Sequence, residues 1–160
     1  MKAALLAGLA LAFATLGLGA CGSRQAPAAK QENPLPAGIS VADGRLVLPA
    51  VKGNPGAVYF TVHDNADSPV TLTTVHVDGA QEAMMHQTVM ANGQASMEMI
   101  MQAEVPARGE LAFAPGGRHV MAMNLDASLK PGGTTQVTLT FAGGNKVTFP
   151  AQILAASDAR

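Results

Sequence analysis

Tryptophan is absent from this 160-residue chain, tyrosine occurs once and phenylalanine five times. A packed core must therefore be built mainly from Val, Leu, Ala and Met, because the usual aromatic contribution is small. The single cysteine, Cys21, excludes an internal disulfide, so stability has to come from packing alone. Charge is sparse and nearly balanced, at a formal net −1. That excludes the basic surplus with which nucleic-acid binders neutralise phosphates. No G-x-S-x-G elbow occurs, and Gly116-Gly117 is not followed by G-K-[ST]. Acyl-transfer and phosphate-loop chemistry therefore have no foothold in the pattern.

Long apolar runs are also missing, except at the start. Lys2 precedes an almost unbroken apolar stretch from Ala3 to Leu18, with Gly19 and Ala20 before Cys21. Residues 1–20 thus read as an export signal rather than as part of the fold. The stretch sits near the lower length limit for a transmembrane helix, and polar residues follow at once. Leu18-Gly19-Ala20-Cys21 resembles the lipobox of bacterial lipoproteins, which implies cleavage before Cys21 and lipidation of its thiol. An ordinary secretory signal, leaving Cys21 as a stray thiol, is the competing expectation. Residues 21–38, rich in Ala, Pro and polar side chains, read as a flexible linker. The rest, 39–160, suffices for one domain and not two.

That domain reads as all-β. Short runs rich in Val, Thr, Leu and Phe alternate with Gly, Pro, Asn and Asp clusters. Candidate strands are 45–48, 57–63, 70–77, 81–88, 95–103, 110–114, 119–125, 136–140 and 146–153. Asn92-Gly93 suits a tight hairpin because both residues tolerate positive φ. Many short strands at such spacing imply an antiparallel sandwich or a small barrel.

Against this background four side chains form the pattern H-x(10)-M-x(21)-H-x-M: His86, Met97, His119 and Met121. Thioether sulfur is a soft donor that selects Cu(I), and imidazole binds copper well. The set contains no thiolate and no carboxylate, so it suits a monovalent soft ion. Strand alternation places His119 and Met121 on one face, and Met97, Met99 and Met101 on one face of another strand. His86, from the preceding strand, closes the arrangement through the Asn92-Gly93 excursion. A blue-copper site needs a cysteine thiolate, which this domain lacks, and an H-x-M pair fits zinc poorly. The remaining methionines, Met84, Met85, Met90, Met99, Met101 and Met123, read mostly as flexible core filler. The alternative for some is a secondary thioether surface that loosely gathers Cu(I). His63 and His76 lack a methionine at matching spacing and read as hydrogen-bonded, partly exposed residues.

The series His86, Met97, His119-x-Met121 resembles the signature of the periplasmic copper chaperones called PCu(A)C, with the same intervals. Ala57-Val58-Tyr59-Phe60-Thr61-Val62 before Asp64-Asn65 resembles that family's early strand. Pro106-Ala107-Arg108-Gly109, followed by Pro115-Gly116-Gly117-Arg118-His119, resembles the segment leading to its second histidine. The resemblance spans residues 45–153. It implies a cupredoxin-like Greek-key β-barrel or sandwich that binds one Cu(I) outside the cytoplasm. Nothing in the sequence marks a substrate pocket, so no enzymatic activity is expected. Its cargo is expected to pass to the dinuclear copper centre of cytochrome c oxidase, alone or with a thiol-bearing copper chaperone. Two departures stand out: the stretch from Leu154 to Arg160 lacks the His- and Met-rich tail of some members, and the lipobox implies a membrane anchor where many members are soluble. Competing readings are a periplasmic copper buffer or resistance protein, a metal-free structural β-sandwich lipoprotein and, last, a copper redox enzyme.

Overall fold

The structure is a computed structural model and describes residues 38–158. The expected signal at 1–20, Cys21 and nearly all of the expected linker lie outside the described residues. Ten strands form there: β1 (Ile39–Val47), β2 (Gly56–Asp64), β3 (Val70–Val77), β4 (Ala80–Ala91), β5 (Gln94–Met99), β6 (Ala103–Val105), β7 (Glu110–Phe113), β8 (Arg118–Leu125), β9 (Thr134–Phe141) and β10 (Lys146–Leu154). A short 3-10 turn, Ala156–Asp158, follows.

The strands join in the order β5-β4-β8-β7-β2-β1-β10-β9-β3-β6, with a further pairing of β8 to β2. β1 with β10, and β7 with β8, pair in parallel; the other ladders are antiparallel. β5 and β6 end the order and are not bonded to each other, so the sheet stays open.

Period-two alternation explains which face is dry. In β2 the even positions Val58, Phe60 and Val62 are buried, and β9 and β10 show the same alternation. In β3 the buried phase moves from Leu72 to Val75 and Val77, at a register shift between Leu72 and Thr74. One inserted residue swaps the two faces of a strand. Phe60 anchors the core, stacked on Phe113 at 4.5 Å between ring centroids and tilted against Phe149 at 5.4 Å. The core cluster is otherwise Val, Leu, Ala, Ile, a fourth phenylalanine, Phe141, and one methionine, Met85.

Three expected strands differ from the structure, for local reasons. The 45–48 segment is the end of a longer β1, because Asp43-Gly44 forms a bulge rather than a turn. Asp43 takes φ 57° there, and the pairing with β2 shifts between Ala42 and Arg45. The 95–103 segment splits into β5 and β6, since β5 pairs with β4 whereas β6 crosses to β3. Met101 falls in the bend between them and does not continue the Met97 and Met99 row. The 81–88 segment extends to Ala91, where Asn92 (φ 52°) and Gly93 (φ 76°) form a two-residue hairpin of the I′ kind. A Cβ added at Gly93 meets nothing within 4 Å, so Gly93→Ala carries only the backbone penalty. We expect a loss of about 1 kcal/mol in urea unfolding; an unchanged midpoint would mean that the turn takes another form.

Candidate metal centre

β4 and β8 supply the heart of the site. Their inward residues, Met85, Val120 and Ala122, are buried in the core. The alternate residues therefore share the opposite face. In the β4–β8 ladder His86 lies directly across from His119, and Met84 across from Met121. In the β4–β5 ladder Met99 lies across from His86, and Met97 across from Thr88. Met121 also pairs with Ala57 of β2. His86, His119 and Met121 thus stand on one sheet face, with Met97 two residue pairs along the hairpin on the same face.

The two imidazoles stack, with ring centroids 5.9 Å apart and planes at 20°. The turn before β8 sets the state of His119. Gly116 takes φ 78°, and the Gly117 amide donates to the Ala114 carbonyl at 3.0 Å. The Gly117 carbonyl then accepts from the Thr88 amide at 3.2 Å and from Nδ1 of His119 at 3.3 Å. A carbonyl can only accept, so Nδ1 of His119 donates here, and in the neutral imidazole Nε2 is the nitrogen left with a lone pair. Anchoring the far ring nitrogen on a backbone carbonyl is how metal-ligating histidines are commonly oriented. His86 differs: its Nδ1 is buried and has no hydrogen-bond partner. An unpaired buried polar atom costs about 1–3 kcal/mol unless something satisfies it.

Met97, His119 and Met121 line a cavity of about 500 Å³ together with Thr88, Tyr59 and Ala57. None of its lining residues is charged. His86 does not line this cavity; it adjoins through its stack on His119. Among the described residues no three His, Cys, Asp or Glu side chains come together as a metal cage. The soft-donor face is therefore neutral and poor in hard oxygen ligands, a match for Cu(I) and a mismatch for calcium or magnesium.

The other histidines lie elsewhere. His63 faces Glu110 at 3.5 Å and His76 faces Asp78 at 3.2 Å, both at the surface. The core-filler expectation for the remaining methionines holds for Met85 alone, which is 5 % exposed. Met84 and Met123 are half-buried on the outer face. Met90, Met99 and Met101 are 69, 57 and 74 % exposed. Met90 and Met99 sit on the far part of the β4–β5 hairpin, which extends beyond the core, and Met101 sits in the bend that follows it. Alternation in the sequence marks which methionines share a face but not whether that face is covered.

Fold and site together define an all-β, cupredoxin-like domain with an imidazole and thioether face. Residues 39–153 match the family described as Putative lipoprotein LpqE-like, and the chain belongs to that family. This name differs from the PCu(A)C family that the spacing resembles; the PCuAC likeness is one of fold. The copper-bound PCuAC domain of PmoF2 superposes with a TM-score of 0.60 at 23 % identity, over 73 % of this chain and 92 % of that one. The solution structure of Cu(I)-DR1885 from Deinococcus radiodurans gives a TM-score of 0.57 at 30 % identity, over 82 % of this chain and 85 % of that one. A putative lipoprotein of Leifsonia xyli subsp. xyli (strain CTCB07), Lxx21020, is 28 % identical over 142 residues, 88 % of this chain and 84 % of its own length.

Proposed function

We propose that the protein is an extracytoplasmic Cu(I) carrier, tethered to a membrane through lipidated Cys21, in which His86, Met97, His119 and Met121 hold one Cu(I). The observation that carries this reading is the His86–His119 cross-strand pair. One imidazole there is oriented by a carbonyl, the other has a buried nitrogen without a partner, and both adjoin a neutral cavity lined by two thioethers. Copper-bound relatives of the same fold support it. So does membership of a lipoprotein family for the tether.

The cargo is held by neutral donors at an open face, which suits handover by ligand exchange. A thiolate acceptor binds Cu(I) more tightly, because it is both soft and charged, and that gives transfer its direction. The ligand series, through its resemblance to PCu(A)C, supports the dinuclear copper centre of cytochrome c oxidase as the recipient, with or without a thiol-bearing intermediary. The role is carriage and not catalysis.

Anaerobic titration of Cu(I) against a chromophoric chelator tests the binding step, and one equivalent should withstand the competition. Failure to compete would leave a metal-free β-sandwich lipoprotein. Retention of copper against every thiol-bearing acceptor would favour a buffer over a carrier. Proton competition supplies a second check. A protonated imidazole has no lone pair for the metal, so protons compete with Cu(I) and affinity should fall on acidification. The loss should be steeper the more imidazoles must give up a proton before they bind. A flat affinity between about pH 5 and pH 8 would remove histidine from the ligand set.

A further inference from the structure

A second group of thioethers lies beyond the four-residue set. β5 pairs with β4 only from His86 onward, so the stretch of β4 before it has an open edge. The Ile100 amide donates to the Met85 carbonyl at 2.9 Å, and the chain then turns away to reach β3 through β6. This leaves a cavity of about 310 Å³ between β3 and β4, lined by Met84, Met99 and Met101 with Glu82 and the Thr73–Val75 stretch. Met99 and Met101 are mostly exposed, although an unbranched apolar side chain gains from burial. Two exposed methionines and one half-buried one around a single hollow are poor packing but a good soft-donor set. Glu82 adds one negative charge, which favours a cation over a neutral ligand. The Thr73 hydroxyl is engaged elsewhere, donating to the Thr140 carbonyl at 2.9 Å.

Register ties this hollow to the first site. Met99 is the direct cross-strand neighbour of His86, and Met84 that of Met121. Directly opposed residues stand about 5 Å apart at Cβ, within reach of a flexible thioether. We propose that Met84, Met99 and Met101 form a second, weaker site for a soft monovalent cation, from which Cu(I) passes to His86 and Met121. The relay rests on the carrier reading; the second site itself does not. Lacking imidazole, it exchanges faster and is insensitive to pH across the histidine range.

Silver(I), a redox-inert stand-in for Cu(I), tests this on the full chain labelled with 13C at the methionine methyls, in chloride-free buffer. The first equivalent should move the Met97 and Met121 methyls. A second, at least about tenfold weaker, should move Met84, Met99 and Met101. The triple variant Met84→Leu, Met99→Leu and Met101→Leu conserves volume and should lose only the second phase. In Met97→Ile with Met121→Ile the second phase should persist. Resonances of Met84, Met99 and Met101 that stay fixed through the second and further equivalents, while Met97 and Met121 respond to the first, would overturn the second site. Movement of those three with Met97 and Met121 unmoved would instead overturn the four-residue reading and leave this one standing. No movement of any methionine methyl would overturn both.

Discussion

Replacing Met97 and Met121 together with isoleucine should weaken Cu(I) binding by at least about a hundredfold, close to 3 kcal/mol, while the fold survives. The change removes both sulfur donors and leaves two imidazoles, a set that no longer favours the monovalent ion. Structural cost should be small. Met97 is 62 % exposed and Met121 is half-buried, on the face turned away from Val120 and Ala122. Isoleucine is also a good strand former. Thermal unfolding should therefore report less than about 1 kcal/mol of change. Affinity within tenfold of the parent would sink the four-residue assignment. A variant that loses copper and stability together would show only that the face had been damaged, so both measurements are needed.

Phe60→Ala should produce the largest loss of stability, about 3–5 kcal/mol. Phe60 is 1 % exposed and bridges Phe113 and Phe149, two of the few other aromatic rings in the chain. The cost combines the lost transfer energy of the ring with the void left among rigid strands. With neither tryptophan nor a disulfide to compensate, that is a large part of the 5–15 kcal/mol typical of a domain. Urea unfolding of the metal-free protein should show it, with a melting temperature lower by about 10–20 °C. A loss under about 1 kcal/mol would mean that these three rings do not form the centre of the core.

The two predictions separate the domain into a face that binds and a face that holds, and they show what was readable in each. The strands at 57–63 and 70–77 were legible as runs of Val, Thr, Leu and Phe between turn-forming clusters, whereas the change of buried phase between Leu72 and Val75 was not. Asn92-Gly93 was legible as a hairpin because few dipeptides tolerate two consecutive positive φ values. The same reasoning began the first strand only at residue 45, because nothing local shows that the chain is already paired before Asp43-Gly44, where a bulge lies within a continuing strand. It also ran 95–103 together as one strand. Nothing local records that the chain leaves β4 after Met99 to pair with β3.

The amino-acid sequence alone determined the donor types, their shared faces within each strand and the all-β class, since these depend only on side-chain chemistry and the period of two. The tertiary structure decided everything that depends on pairing between distant segments. It set His86 opposite His119, gave the Gly117 carbonyl to one imidazole and left the other unpartnered. It placed Met85 in the core and exposed Met90, Met99 and Met101. Register across strands and the covering of one face are properties of contacts far apart along the chain, and no local pattern encodes them.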